Sequence, residues 1–71
     1  MIKPGAVEEL EAVARDAARI FDQDYDSLPE YSQSRWRDIV RDVNVTAPQT
    51  VAEQAAALAL QKWARRNKRE T

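Results

Sequence analysis

An all-α domain of three helices is the fold class that this 71-residue chain predicts, and three observations predict it. Apolar residues recur at alternating spacings of three and four through three stretches, the period of a helix with one buried face. No stretch keeps the period of two that a strand needs; the nearest case, Val43-Asn44-Val45, is too short and reads as a linker. The chain holds one glycine, Gly5, and three prolines, Pro4, Pro29 and Pro48, each placed where a helix can begin. Proline in a first turn sacrifices no intrahelical hydrogen bond, because the N–H it lacks had no partner there.

The first helix is predicted over residues 4–22. Val7, Leu10, Ala14, Ala17 and Phe21 form its apolar stripe, widened by Val13 and Ile20. Glu8, Glu9 and Glu11 lie in its early turns and Arg15 and Arg19 later, the order that the helix dipole favours. An acidic connection, Asp22-Gln23-Asp24-Tyr25-Asp26, follows.

The second helix is predicted over 28–43, opened by Ser27-Leu28-Pro29-Glu30, a hydroxyl followed three residues later by a carboxylate in the pattern of a capping box. Tyr31, Trp36, Ile39, Val40 and Val43 are its expected inward residues. Arg35, Arg37, Asp38, Arg41 and Asp42 fall at spacings that pair opposite charges on the outer face. The third helix is predicted over 47–67, opened in the same way by Thr46-Ala47-Pro48-Gln49. Ala52, Ala55, Ala56, Ala57 and Ala59 surround Val51, Leu58, Leu60 and Trp63 there, so other helices can approach closely on several sides. One of those neighbours is expected from a second copy of the chain, making a homo-oligomer. Residues 1–71 form one domain in this reading, with 68–71 a fraying basic tail.

Cysteine and histidine are both absent. That removes thiolate nucleophiles, the usual neutral-pH base and the ligands of ordinary zinc, haem and iron–sulfur sites. Aspartate and glutamate remain for a hard cation, and Asp22, Asp24 and Asp26 match the D-x-D-x-D opening of a calcium loop. However, Ser27 stands where that loop needs glycine and Gln33 where it needs a closing glutamate. No metal, no cofactor and no catalysis are expected. No apolar run approaches the roughly 20 residues of a membrane span. The expected location is the cytoplasm, with no membrane partner.

The net charge of −1 conceals a bipolar chain: residues 1–30 carry eight acids and three bases, and residues 61–71 carry five bases and one acid. Lys62, Trp63, Arg65, Arg66 and Arg69 combine cations with an aromatic ring, which suits a phosphate backbone and stacked bases. Lysine and arginine also gather at helix C-termini because the dipole favours them, and core packing accounts for Trp63. A helix-turn-helix layout of the second and third helices lacks cations in the first turns of its recognition helix. Arg35, Arg37 and Arg41 are a second candidate surface, for an acidic partner or a nucleotide phosphate.

Asp26-Ser27-Leu28-Pro29-Glu30, followed by Arg35-Trp36-Arg37-Asp38-Ile39-Val40-Arg41, resembles short helical proteins of tailed bacteriophages, in which an L-P-E-like turn opens a helix with a W-R-D-like core. Residues 10–63 are more faintly similar to the ryanodine-receptor-repeat domain of some phage proteins. The chain lacks much of that domain's aromatic pattern, so no ligand residues carry over. The resemblance implies an accessory protein in the host cytoplasm that acts by occupying a host protein or sequestering a signalling molecule. The expected function is a non-catalytic interaction module that binds a host protein stoichiometrically, as an inhibitor or counter-defence factor. The alternatives are an oligomeric sponge for a small anionic nucleotide and a nucleic-acid binder using the basic end of the third helix.

Overall fold

The computed structural model describes residues 4–66, which form three α-helices: α1 (Val7–Ile20), α2 (Glu30–Asp42) and α3 (Val51–Arg66). A single 3₁₀ turn at Tyr25–Ser27 lies between α1 and α2, and no strand occurs among the described residues. The predicted number and order of helices are therefore correct. Each predicted span is too generous at its start, and in every case the local hydrogen bonding says why. The expected tail, 68–71, and the last predicted helical residue, Asn67, lie outside the described residues.

α1 begins at Val7 rather than Pro4. Glu9 sets the position, because its Oε1 accepts the N–H groups of Gly5 (3.3 Å) and Ala6 (3.4 Å) and so marks Ala6 as the N-cap three residues before it. Alanine has no side-chain acceptor to return the bond, so only the glutamate half of a capping box forms. The other end closes without glycine. Asp22 adopts a left-handed conformation, φ 66°, while its N–H bonds to Arg19 O (2.9 Å) and the N–H of Gln23 bonds to Ala18 O (2.7 Å). That pair of bonds is a Schellman closure, in which aspartate is among the few residues that tolerate the role usually given to glycine.

α2 begins after Pro29, whose carbonyl accepts the N–H groups of Ser32 and Gln33. The expected cap, Ser27, instead donates its hydroxyl to Asp24 Oδ2 at 2.8 Å within the 3₁₀ turn. Glu30, the expected carboxylate of the box, receives Arg37 Nη2 at 2.9 Å.

α3 begins four residues later than predicted, at Val51 instead of residue 47. Thr46 is captured by the preceding turn, where Asn44 Oδ1 accepts both its N–H (3.1 Å) and its hydroxyl (2.8 Å). The working capping box is Thr50-Val51-Ala52-Glu53. Thr50 Oγ1 accepts the N–H of Glu53, and Glu53 Oε1 accepts the N–H groups of Thr50 and Gln49, at 2.8 to 3.1 Å. A carboxylate at this place is favoured over the amide of Gln49 because it also meets the positive end of the helix dipole.

The core is built from small residues. α1 contributes Val13, Ala14, Ala17 and Ala18, and α3 contributes Ala55, Ala56, Ala59 and Leu60, to one buried cluster. α1 and α3 make the most extensive helix pair, as expected of alanine surfaces that let backbones come close. Alanine alone leaves little apolar area to bury, and the large pieces come from elsewhere: Tyr25 from the 3₁₀ turn, Trp36 and Val40 from α2, and Val43 just after it. Trp36 lies edge-on to Phe21, centroids 5.5 Å apart, and donates Nε1–H to Gln23 Oε1 at 3.0 Å. Trp36 is thus the core plug that an alanine-rich interior requires, while Trp63 is half-buried against the same cluster. Two residues expected inside, Val7 and Tyr31, are outside, with Tyr31 the most exposed at 77%, and Val51 and Leu58 of α3 are exposed as well. Ile20, also expected inside, is 46% exposed.

Candidate interaction surface

The acidic connection after α1 is organised around a buried ring. Tyr25 is 2% exposed. Its hydroxyl accepts Arg37 Nη1 at 2.7 Å, its carbonyl accepts Gln33 Nε2 at 2.8 Å, and the Arg15 guanidinium lies 5.4 Å from its ring centroid. Arg15 also binds Asp26 in a two-pronged pair, Nε to Oδ2 at 3.1 Å and Nη2 to Oδ1 at 2.9 Å. This hydrogen bonding holds the Asp26 carboxyl below, and the Arg15 guanidinium above, their ordinary ranges. The three aspartates of the calcium-like segment therefore have separate occupations: Asp22 closes α1, Asp24 takes the Ser27 hydroxyl and Asp26 takes Arg15. No cluster of three or more acidic side chains able to hold a metal occurs among the described residues.

The candidate arginines of α2 do not converge. Arg37 is committed to the Tyr25 hydroxyl and to Glu30, with Glu11 3.8 Å away, and these bonds raise its pKa, the Glu30 hydrogen bond most. Arg41 pairs with Asp42 at 3.1 Å and Asp38 at 3.2 Å, and the hydrogen bond it donates to Asp42 is the largest cause of its raised pKa. Arg35 lies elsewhere, on the wall of a cavity of about 240 Å³ shared with Phe21, Gln23, Ser32, Trp36, Ile39 and Ala52. Residues two apart on a helix point nearly opposite ways, which separates Arg35 from Arg37.

The basic end of α3 is divided as well. Arg66 reaches back to Asp16 at 3.7 Å. Trp63 packs against the core, so its ring is only partly available for stacking. Lys62 and Arg65 are exposed and make no ion pair among the described residues. Arg69 lies outside them. Residues 43–50 separate α2 from α3, about twice the three to four residues of a helix-turn-helix turn.

One edge of the α1–α3 pair exposes an apolar surface. Ile20, Phe21 and Asp22 at the end of α1 line a shallow open groove with Val51, Gln54, Ala55 and Leu58 of α3. Val51 is 66% and Leu58 53% exposed. Three of the five large apolar side chains exposed among the described residues, Ile20, Val51 and Leu58, therefore share one face. Single exposed apolar residues are ordinary on a protein surface, whereas a contiguous group marks a contact site. The signal was present in the sequence: Val51 and Leu58 are seven apart, two helical turns, and lie off the stripe of Ala55, Ala56, Ala59 and Leu60.

Comparison with protein-family models, curated proteins and solved structures returns no match for this chain. The functional reading therefore rests on residues and geometry. No helix among the described residues is long and apolar enough to cross a membrane.

Proposed function

We propose that this protein is a non-catalytic helical interaction module that works by stoichiometric contact through the Ile20, Val51 and Leu58 face. The observation that carries this reading is the clustering of exposed large apolar side chains on α1 and α3, in a chain without histidine or cysteine for common catalytic or metal chemistry. The partner class implied by the phage resemblance is a host protein, with the protein acting as an accessory factor in the host cytoplasm.

The test uses tagged wild type and Leu58→Asp as baits in bacterial lysate. Leu58 is exposed within the protomer, so the substitution should leave the helical circular-dichroism spectrum unchanged while removing the apolar contact. A protein retained by wild type at moderate salt and lost from the folded variant supports the reading. Equal retention by both baits, or by neither, refutes it.

A second reading, nucleic-acid binding, is favoured by one observation: Lys62 and Arg65 are exposed and without an ion pair among the described residues. A mobility-shift titration at low and moderate salt tests it, since phosphate contacts must weaken steeply as salt rises. The nucleotide-sponge alternative finds Arg37 and Arg41 already engaged by carboxylates and Arg35 apart from them on a cavity wall, and calorimetry against a nucleotide panel tests it.

A further inference from the structure

The exposed face of α3 carries a regular pattern of apolar and charged residues. Val51, Gln54, Leu58, Lys62 and Arg65 are all exposed and follow at spacings of three and four, so they form one stripe along the helix. The stripe is apolar toward its N-terminal end and cationic toward its C-terminal end. Leu58 lies near its middle, with Val51 and Arg65 seven residues to either side and Gln54 and Lys62 four to either side. Beside Val51, the groove is completed by Ile20 and by Asp22. Asp22 has no ion pair among the described residues, and neither do Lys62 and Arg65, whereas Arg66 reaches Asp16.

We infer that this face binds a second copy of the chain, with the two α3 helices antiparallel about a two-fold axis near Leu58. The inference rests on the proposed reading of the face as a contact surface and names its occupant. A two-fold axis at Leu58 places the two Leu58 side chains against each other, brings Arg65 of each copy over Val51 of the other, and sets Lys62 opposite Gln54. The stems of Arg65 and Lys62 then cover the apolar groove while their charges reach toward Asp22, as long cationic side chains do at the rim of an apolar contact. A parallel pairing would bring Lys62 and Arg65 against their own copies and leave Asp22 unanswered, so charge complementarity selects the antiparallel arrangement. A self-complementary patch of this kind is what a two-fold interface requires. A host protein that uses the same face would compete with the second copy for it.

The chain has no cysteine, so a single introduced thiol reports the axis. A disulfide needs Cα atoms within about 7 Å. In the purified full chain under mild oxidant, Leu58→Cys should form a linked dimer at least about tenfold faster than Tyr31→Cys, because it gains effective concentration from the pairing while exposed Tyr31 on α2 relies on collision. Sedimentation equilibrium of the wild type should show a monomer–dimer equilibrium, with Arg65→Glu weakening it about two- to thirtyfold, because a two-fold dimer loses two rim ion pairs. A wild type monomeric at millimolar concentration overturns the pairing, and Leu58-dependent capture in the lysate test would then leave the contact-surface reading standing. A dimer that links no faster at position 58 than at position 31 overturns both the axis and this face as the site of self-association. Rapid linking at 58 combined with tighter association of Arg65→Glu overturns the antiparallel register.

Discussion

Removing the hydroxyl of Tyr25 while keeping its ring tests the central feature of the fold, a buried side chain in a connection that looks solvated. The hydroxyl accepts Arg37 Nη1 at 2.7 Å, and a hydrogen bond to a charged group is worth about 1.5–3 kcal/mol net. Arg37 keeps its bond to Glu30 and is 22% exposed, so the guanidinium is not left buried and alone; the loss from Tyr25→Phe should fall near about 1 kcal/mol. For a domain of this size that lowers the melting temperature by about 4–8 °C. Tyr25→Ala should cost about 3–5 kcal/mol, because it also removes a ring that is 2% exposed and supports the Arg15 guanidinium. Total stability for a chain of 71 residues is about 4–11 kcal/mol, so the alanine variant should be largely unfolded at moderate urea. Urea titrations followed by circular dichroism at 222 nm measure both. A Tyr25→Phe variant as stable as wild type would refute the Arg37 bond, and a Tyr25→Ala variant no worse than Tyr25→Phe would refute the burial itself.

The helix ends make two further predictions, and the Arg15–Asp26 pair and the core one each. Thr50→Ala should cost about 1 kcal/mol by removing the cap of α3, whereas Thr46→Ala and Ser27→Ala should each stay within about 0.5 kcal/mol in the same titration; the reverse order would restore the starts read from the sequence. At the end of α1, Asp22→Gly should hold or raise the melting temperature and Asp22→Ile should lower stability by about 1–2 kcal/mol, because only the latter is strained at positive φ. The Asp26 carboxyl titrates below its ordinary 3.8 because Arg15 hydrogen-bonds its charged form, so the pair's stabilisation is complete above about pH 4 and is lost as pH falls through the lower folded-state value. Asp26→Asn should accordingly flatten the fall in melting temperature below pH 4, and an unchanged acid limb would rule out the pair. In the core, Ala17→Leu or Ala56→Leu should destabilise by about 1–3 kcal/mol, since both positions are fully buried and the added atoms must separate α1 from α3; thermal melts that show no loss would mean that the two helices are not closely packed.

Helix number, helix order and the role of Trp36 were determined by the sequence alone, because each depends on periodicity and on how few large side chains an alanine-rich interior contains. The helix starts were only partly legible. Two consecutive Thr-x-x-Gln/Glu patterns stand at the start of α3, and Glu53 prevails over Gln49 through the extra bonds that its carboxylate makes. The closure of α1 at Asp22 carries no glycine to announce it. What only tertiary structure decided was which apolar residues go inside. The helical period gives a broad stripe, and the neighbours choose within it: close approach of α1 and α3 on their alanines leaves Val51, Leu58 and Ile20 on the outside edges of the pair, and Tyr25 joins the buried cluster from the loop. The candidate arginines were divided for the same reason. Their residue type was visible in the sequence, but commitment of Arg37 to Tyr25 depends on contacts twelve residues apart along the chain. The face now singled out emerged because large side chains excluded from a tightly packed pair of helices must lie somewhere on its surface.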